Sequence, residues 1–206
     1  MITARRRPTA AAAGVIALAL ALCACTGPTA ANPAPAPTPS SGSTTTTVAT
    51  TPKQELTAQG FLPKKVGQVG GLDCTNDIES CAIKFTVDKI EVSPQCDQYG
   101  TKAASGRKTL VLHVSLTTGA LSPDGEAAAP MIFNPYSLKG LGADGFVHDA
   151  QPGMCTSYET RLSNTILPNS RYTGTVEVEV PESVSSIAAA YSTGGPNRGW
   201  VWEIGG

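Results

Sequence analysis

Six cysteines, two histidines and a few closely spaced carboxylates carry whatever chemistry this 206-residue chain can do. Cys74, Cys81, Cys96 and Cys155 form an even set, and in an exported, oxidising setting an even set reads as disulfides. Four cysteines allow three pairings. The expected one joins Cys74 to Cys81, which bracket a polar turn, and Cys96 to Cys155, which fall in loops beyond strand ends. Zinc is the competing reading, but no histidine stands near these cysteines and no Cys-x2-Cys spacing occurs. The expectation is therefore no metal site and no cofactor.

His113 has Ser115 two residues on, and His148 precedes Asp149, so each contains part of a hydrolase triad. Neither is accompanied by a Gly-x-Ser-x-Gly nucleophile elbow, and both read as surface histidines. Glu177 and Glu179 share one strand face about 7 Å apart, a spacing that suits paired-carboxylate chemistry. Alternating carboxylates are more commonly the wet side of a strand, and that is the expectation here. Trp200 and Trp202 share a face with Ile204 and read as a core wall rather than an aromatic ligand platform. Gly194-Gly195 runs into Pro196, a turn and not a phosphate loop. Catalytic residues are expected to be absent, and no ligand-binding residue stands out.

The elements that would position these groups are short strands. Apolar residues alternate at Ile83, Phe85 and Val87, then change parity at Ile90 and Val92, which predicts a bulge or break at Asp88-Lys89. Leu110, Leu112, Val114 and Leu116 alternate without interruption. Residues 119–130 read as turns and a run of small residues, followed by short strands at Met131-Ile132-Phe133 and Tyr136-Ser137-Leu138. Asp144-Gly145 turns the chain into Phe146-Val147-His148, and Pro168-Asn169-Ser170 introduces a strand from Tyr172 to Val180. Residues 187–192 and 199–204 supply the last two strands, with a helical turn as the alternative over 183–190. Such strands, with no helical periodicity between them, predict an all-β, two-sheet antiparallel sandwich.

Three stretches, residues 85–92, 108–116 and 167–181, together resemble the immunoglobulin-like domain of unknown function found in bacterial surface lipoproteins, akin to the mycobacterial secreted immunoprotective antigens. In the third, Asn169 stands where the family's leucine-proline-glycine turn has glycine, a mild departure because asparagine tolerates positive φ. The resemblance covers about residues 80–204. It implies an immunoglobulin-like sandwich without the inter-sheet disulfide, at an extracytoplasmic location, and it supplies no catalytic residues.

The first half of the chain differs in kind. All 16 acidic residues and all 11 aromatic residues lie at or after Glu55, and Arg5, Arg6 and Arg7 are the only charges before Lys53. Those arginines followed by an apolar run from Ala11 to Leu22 have the layout of a secretory signal. The run is too short for a membrane-spanning helix. Leu22-Cys23-Ala24-Cys25 resembles the lipobox of bacterial lipoproteins, which implies a signal peptide over residues 1–24 and a diacylglyceryl group on Cys25. Two or three acyl chains hold a protein stably at a bilayer where one does not.

Of residues 26–52, 18 are Pro, Ser or Thr and none is charged or aromatic, so residues 25–53 read as the lipidated cysteine plus a disordered tether that could extend about 80 Å. Residues 54–206 then form the folded domain, about 150 residues and large enough for its own core. Without residues 1–24 the chain has 12 basic and 16 acidic residues, a net charge of −4, which excludes nucleic acid as a natural partner. The expected protein is a non-catalytic lipoprotein on the outer face of the cell membrane, held there through Cys25 and binding an envelope protein or glycan. An envelope enzyme and a passive structural component are the alternatives.

Overall fold

The computed structural model describes residues 55–191 and 195–205. The signal segment, Cys25, the tether and Gly194 lie outside the described residues.

Among the described residues, ten strands form two five-stranded sheets. One has the order β1 (Leu62–Lys64), β10 (Gly199–Glu203), β9 (Val184–Ala190), β5 (Leu138–Gly142), β6 (Val147–Asp149). The other has the order β2 (Gly70–Leu72), β3 (Ile83–Val92), β4 (Arg107–Thr118), β8 (Arg171–Pro181), β7 (Gln151–Pro152). If β3 to β10 are lettered A, B, C, C′, D, E, F, G in chain order, the sheets read D-E-B-A and G-F-C-C′. That is the strand order of an immunoglobulin sandwich. One pairing departs from the antiparallel expectation: β1 runs parallel to β10, with Leu62 opposite Trp200. A first strand laid beside the last after the chain has crossed between sheets has no hairpin to force it antiparallel.

The change of parity in β3 is a bulge. Val87 pairs with Val114 and Lys89 with His113, leaving Asp88 as the extra residue. Ile83, Phe85 and Val87 are buried before the bulge, and Ile90 packs against the same core after it. Asn169 holds φ at 51°, the left-handed conformation required of the turn into β8.

The core wall expected from Trp200 and Trp202 is present. Phe85 meets Trp200 at 4.7 Å and Phe133 at 5.1 Å between ring centroids, both near perpendicular, and Trp202 is fully buried beside them. Edge-to-face pairs of this kind contribute about 0.5–1.5 kcal/mol each beyond the area they bury. The Phe85–Trp200 pair bridges the two sheets between β3 and β10, and no disulfide joins β4 to β9. The two disulfides among the described residues, Cys74–Cys81 and Cys96–Cys155, lie in connections outside the strands.

Residues 119–133 contradict the loop-and-strand expectation. They contain a helix, α1 (Pro123–Ile132). Ser122 caps it by accepting a hydrogen bond from Gly125 N at 3.1 Å, Pro123 occupies its first turn, and Asp124 and Glu126 sit at the positive end of its dipole. Ala127, Ala128 and Ala129 give no amphipathic period because alanine is compatible with either face, so the cap was the readable signal. Met131 and Ile132 end the helix, and residues 135–137 are a 3₁₀ turn rather than a strand. Over 183–190 the helical alternative fails as well: β9 pairs with both β5 and β10.

Candidate functional site

The outer face of β4 and β8 is covered over part of its length. Thr109, Val111, Thr175 and Glu177 all point away from the sandwich core and all are buried. Residues 94–101 and 153–162 fold over them. Cys96–Cys155 ties the two segments together, and Asp97 N and Thr101 N donate across to Cys155 O and Met154 O at 2.9 and 2.7 Å. Gly153 N and Leu162 N donate to Glu177 O and Thr175 O at 3.1 and 2.9 Å, docking the second segment on β8. The approach is close enough to require glycine at two places. A Cβ on Gly100 would lie 2.0 Å from Cys155 O, and one on Gly174 would lie 2.6 Å from the Leu162 backbone.

Glu177 is the polar centre of this lid, which corrects its expected place on a solvated face. Its carboxylate accepts from Cys155 N, from Thr156 N at 2.9 Å and from the Thr156 hydroxyl at 2.7 Å, with Arg161 Nη2 at 3.9 Å. Burial of the carboxylate is tolerable because its oxygens are satisfied by donors the loop must place somewhere. Glu179, two residues on, faces Arg107 Nε at 3.6 Å instead. The two carboxylates therefore hold separate contacts, and their pairing for acid–base chemistry does not form.

The histidines are no closer to a triad. His113 Nε2 lies 2.8 Å from Glu91 Oε1, while the Ser115 hydroxyl donates to Asp88 Oδ2 at 2.6 Å. Serine and histidine on one face thus face different carboxylates. Lys89, and after it His113, hold the Glu91 carboxyl below the usual range. His148 lies in β6 at the edge of the other sheet, and its neighbour Asp149 pairs with Lys139, which lowers the Asp149 carboxyl in the same way. All four domain cysteines are in disulfides, and no group of three or more metal-ligating side chains occurs among the described residues.

Two concavities flank these groups: an open groove lined by Asp88, Glu91, His113 and Ser115, and a cleft that Glu177 borders and that the sequence did not mark. This cleft, of 280 Å³, opens between the C-terminal end of α1 with its following turn and residues 158–166. Its floor reaches the buried Phe133, Ile166 and Val176. Its rim carries two tyrosines that are largely in solvent, Tyr136 at 75% and Tyr158 at 74% exposure. Each is placed by a capped turn. Asn134 Oδ1 accepts from Tyr136 N at 3.0 Å, with Pro135 fixing the next φ. Ser157 caps the turn that starts at Tyr158, and the Arg161 guanidinium sits 5.2 Å over the Tyr158 ring while its Nη2 donates to Gly153 O at 3.0 Å. The only local signals were the capping residues, Asn134 before Pro135-Tyr136 and Ser157 before Tyr158; Tyr136 itself read as part of a short strand.

Strand order, peripheral disulfides and a rim cleft define the class: an immunoglobulin-like β-sandwich with a lidded outer face and a small surface site. No family model and no curated protein matches the sequence. Among solved structures, the chain is similar to MPT63, a secreted protein from Mycobacterium tuberculosis, with 13% identity and a TM-score of 0.39 over 70% of this chain and 98% of that one. It is also similar to an uncharacterized β-sandwich protein from Clostridium difficile 630, with 13% identity and a TM-score of 0.40 over 75% and 99%.

Proposed function

We propose that this protein is a membrane-anchored extracytoplasmic lipoprotein whose sandwich is a non-catalytic binding module, and that the Tyr136/Tyr158 cleft is the surface it presents. The carrying observation is the contrast between two kinds of group. The side chains able to do chemistry, Glu177, Glu179, His113, Ser115 and Asp149, are held in ion pairs and hydrogen bonds that build the fold. The tyrosines share a cleft with Glu177 but, unlike it, are held out in water by capped turns and have no hydrogen-bond partner for their side chains among the described residues. Location and anchoring are supported by the basic and apolar N-terminal segment, the lipobox-like Leu22-Cys23-Ala24-Cys25 and two disulfides, which persist in oxidising compartments. The charge-free tether suits a module that must stand away from the bilayer.

Tyrosine nitration, read by peptide mapping, tests the binding reading without knowing the ligand. Tyr99 is 92% exposed and lies outside the cleft, so it serves as an internal standard. In intact cells Tyr136 and Tyr158 are expected to be nitrated several-fold less, relative to Tyr99, than in the purified full chain. Equal relative nitration in both would contradict a cleft occupied in the envelope.

A further inference from the structure

We infer that the Tyr136/Tyr158 cleft takes a neutral saccharide; the inference rests on the binding reading above and specifies its ligand. Three properties of the cleft select that chemistry. The first is the pair of exposed rings. A pyranose presents a face of C–H groups edged by hydroxyls, which complements a tyrosine ring left in water with its own hydroxyl beside it. The Arg161 guanidinium lies over one face of the Tyr158 ring at 5.2 Å, which leaves the opposite face to a ligand.

The second property is unused polar capacity at the rim. The Asn164 side chain makes no hydrogen bond among the described residues, and Asn134 uses its oxygen on Tyr136 N while its amide nitrogen has no partner among them. An amide is both donor and acceptor, as is each sugar hydroxyl. At 280 Å³ the cleft falls just under the roughly 300–1,000 Å³ of ligand sites, room for a sugar ring or two rather than a folded segment of protein.

The third property is neutrality. Arg161 has Glu177 Oε2 at 3.9 Å and donates to Gly153 O, so its charge is balanced within the protein and gives no net attraction for an anion. Nor does the cleft offer a strand edge to an extended peptide. The adjacent β7 is two residues long and ends in Pro152, which has no N–H to donate.

The test is ligand-observed saturation-transfer NMR on the full chain in a sugar-free detergent. The probes are chitotriose, cellotriose, maltotriose and mannotriose, with the peptide Ala-Pro-Ala-Pro-Ala-Pro as the competing class. At least one trisaccharide should show saturable transfer. Tyr136→Ala and Tyr158→Ala should each weaken it about tenfold, the loss of roughly 1.4 kcal/mol of stacking, while Tyr136→Phe keeps it. If either alanine variant melts below the native protein, Asn164→Ala gives the same reading from an exposed amide.

Absence of saturable binding to all four trisaccharides, or wild-type binding by the folded alanine variants, would overturn the inference. Binding of the peptide alone would remove the saccharide while leaving a binding module. Unprotected tyrosines in cells would remove the module itself.

Discussion

Replacing Glu177 with alanine is expected to cost the sandwich about 4 kcal/mol, the largest effect of any single side chain on its outer face. Three donors lose their acceptor, the buried Cys155 N–H and the half-buried N–H and hydroxyl of Thr156. Each buried donor left without a partner costs about 1–3 kcal/mol, and Arg161 loses its counter-charge as well. At about 2–4 °C per kcal/mol for a domain of this size, the melting temperature should fall by about 8–16 °C. Glu179→Ala is the control. It removes a 3.6 Å contact with Arg107 and a long hydrogen bond from Ala104 N at 3.5 Å, and should cost about 1 kcal/mol. Urea unfolding with the disulfides intact measures both. Equal losses, or a Glu177→Ala loss below 1 kcal/mol, would show that the carboxylate is not what holds the lid.

Removing the Cys96–Cys155 bridge by a double alanine substitution should cost nearly as much. The bridge closes a loop of 59 residues, and the chain-entropy model gives it about 4 kcal/mol. For Cys74–Cys81, with a separation of 7, the same model gives about 2.5 kcal/mol. Because the longer bridge ties residues 94–101 to 153–162, its loss should also speed hydrogen exchange at Thr101 N, which donates across the two segments. Within β9 exchange should speed only by the factor that the loss of global stability sets. Combined with Glu177→Ala the cost should be less than additive, since both changes free the same loop. A larger loss from the Cys74–Cys81 pair than from Cys96–Cys155 would contradict this account of the lid.

How far the sequence revealed these features depends on whether a residue's role is set locally. Alternation located β3, β4 and β8, and a change of parity located the bulge at Asp88, because a strand with one buried face must keep its register. Positive φ at Asn169 was readable from turn chemistry. The helix α1 was not found, because alanine writes no period, although Ser122-Pro123 wrote a cap. The parallel β1–β10 pair was out of reach, being set by where the sandwich closes and not by any local pattern. Glu177 was misplaced for a related reason. Its alternation with Val176 and Val178 assigns it correctly to the outer face, but only the tertiary path of residues 153–162 decides that this face is covered. The cleft joins two turns that adjoin only in the folded chain, and neither tyrosine marked it alone.

The central claim, a disulfide-stapled sandwich tethered through Cys25 to the outer face of a membrane, is tested most directly by intact mass spectrometry. The protein is purified from its native membrane and weighed before and after thiol alkylation without reductant. The account predicts a chain that starts at Cys25, carries a diacylglyceryl group, and gains no mass on alkylation. An unlipidated chain, or one whose Cys74, Cys81, Cys96 or Cys155 takes up the alkylating agent, would contradict it.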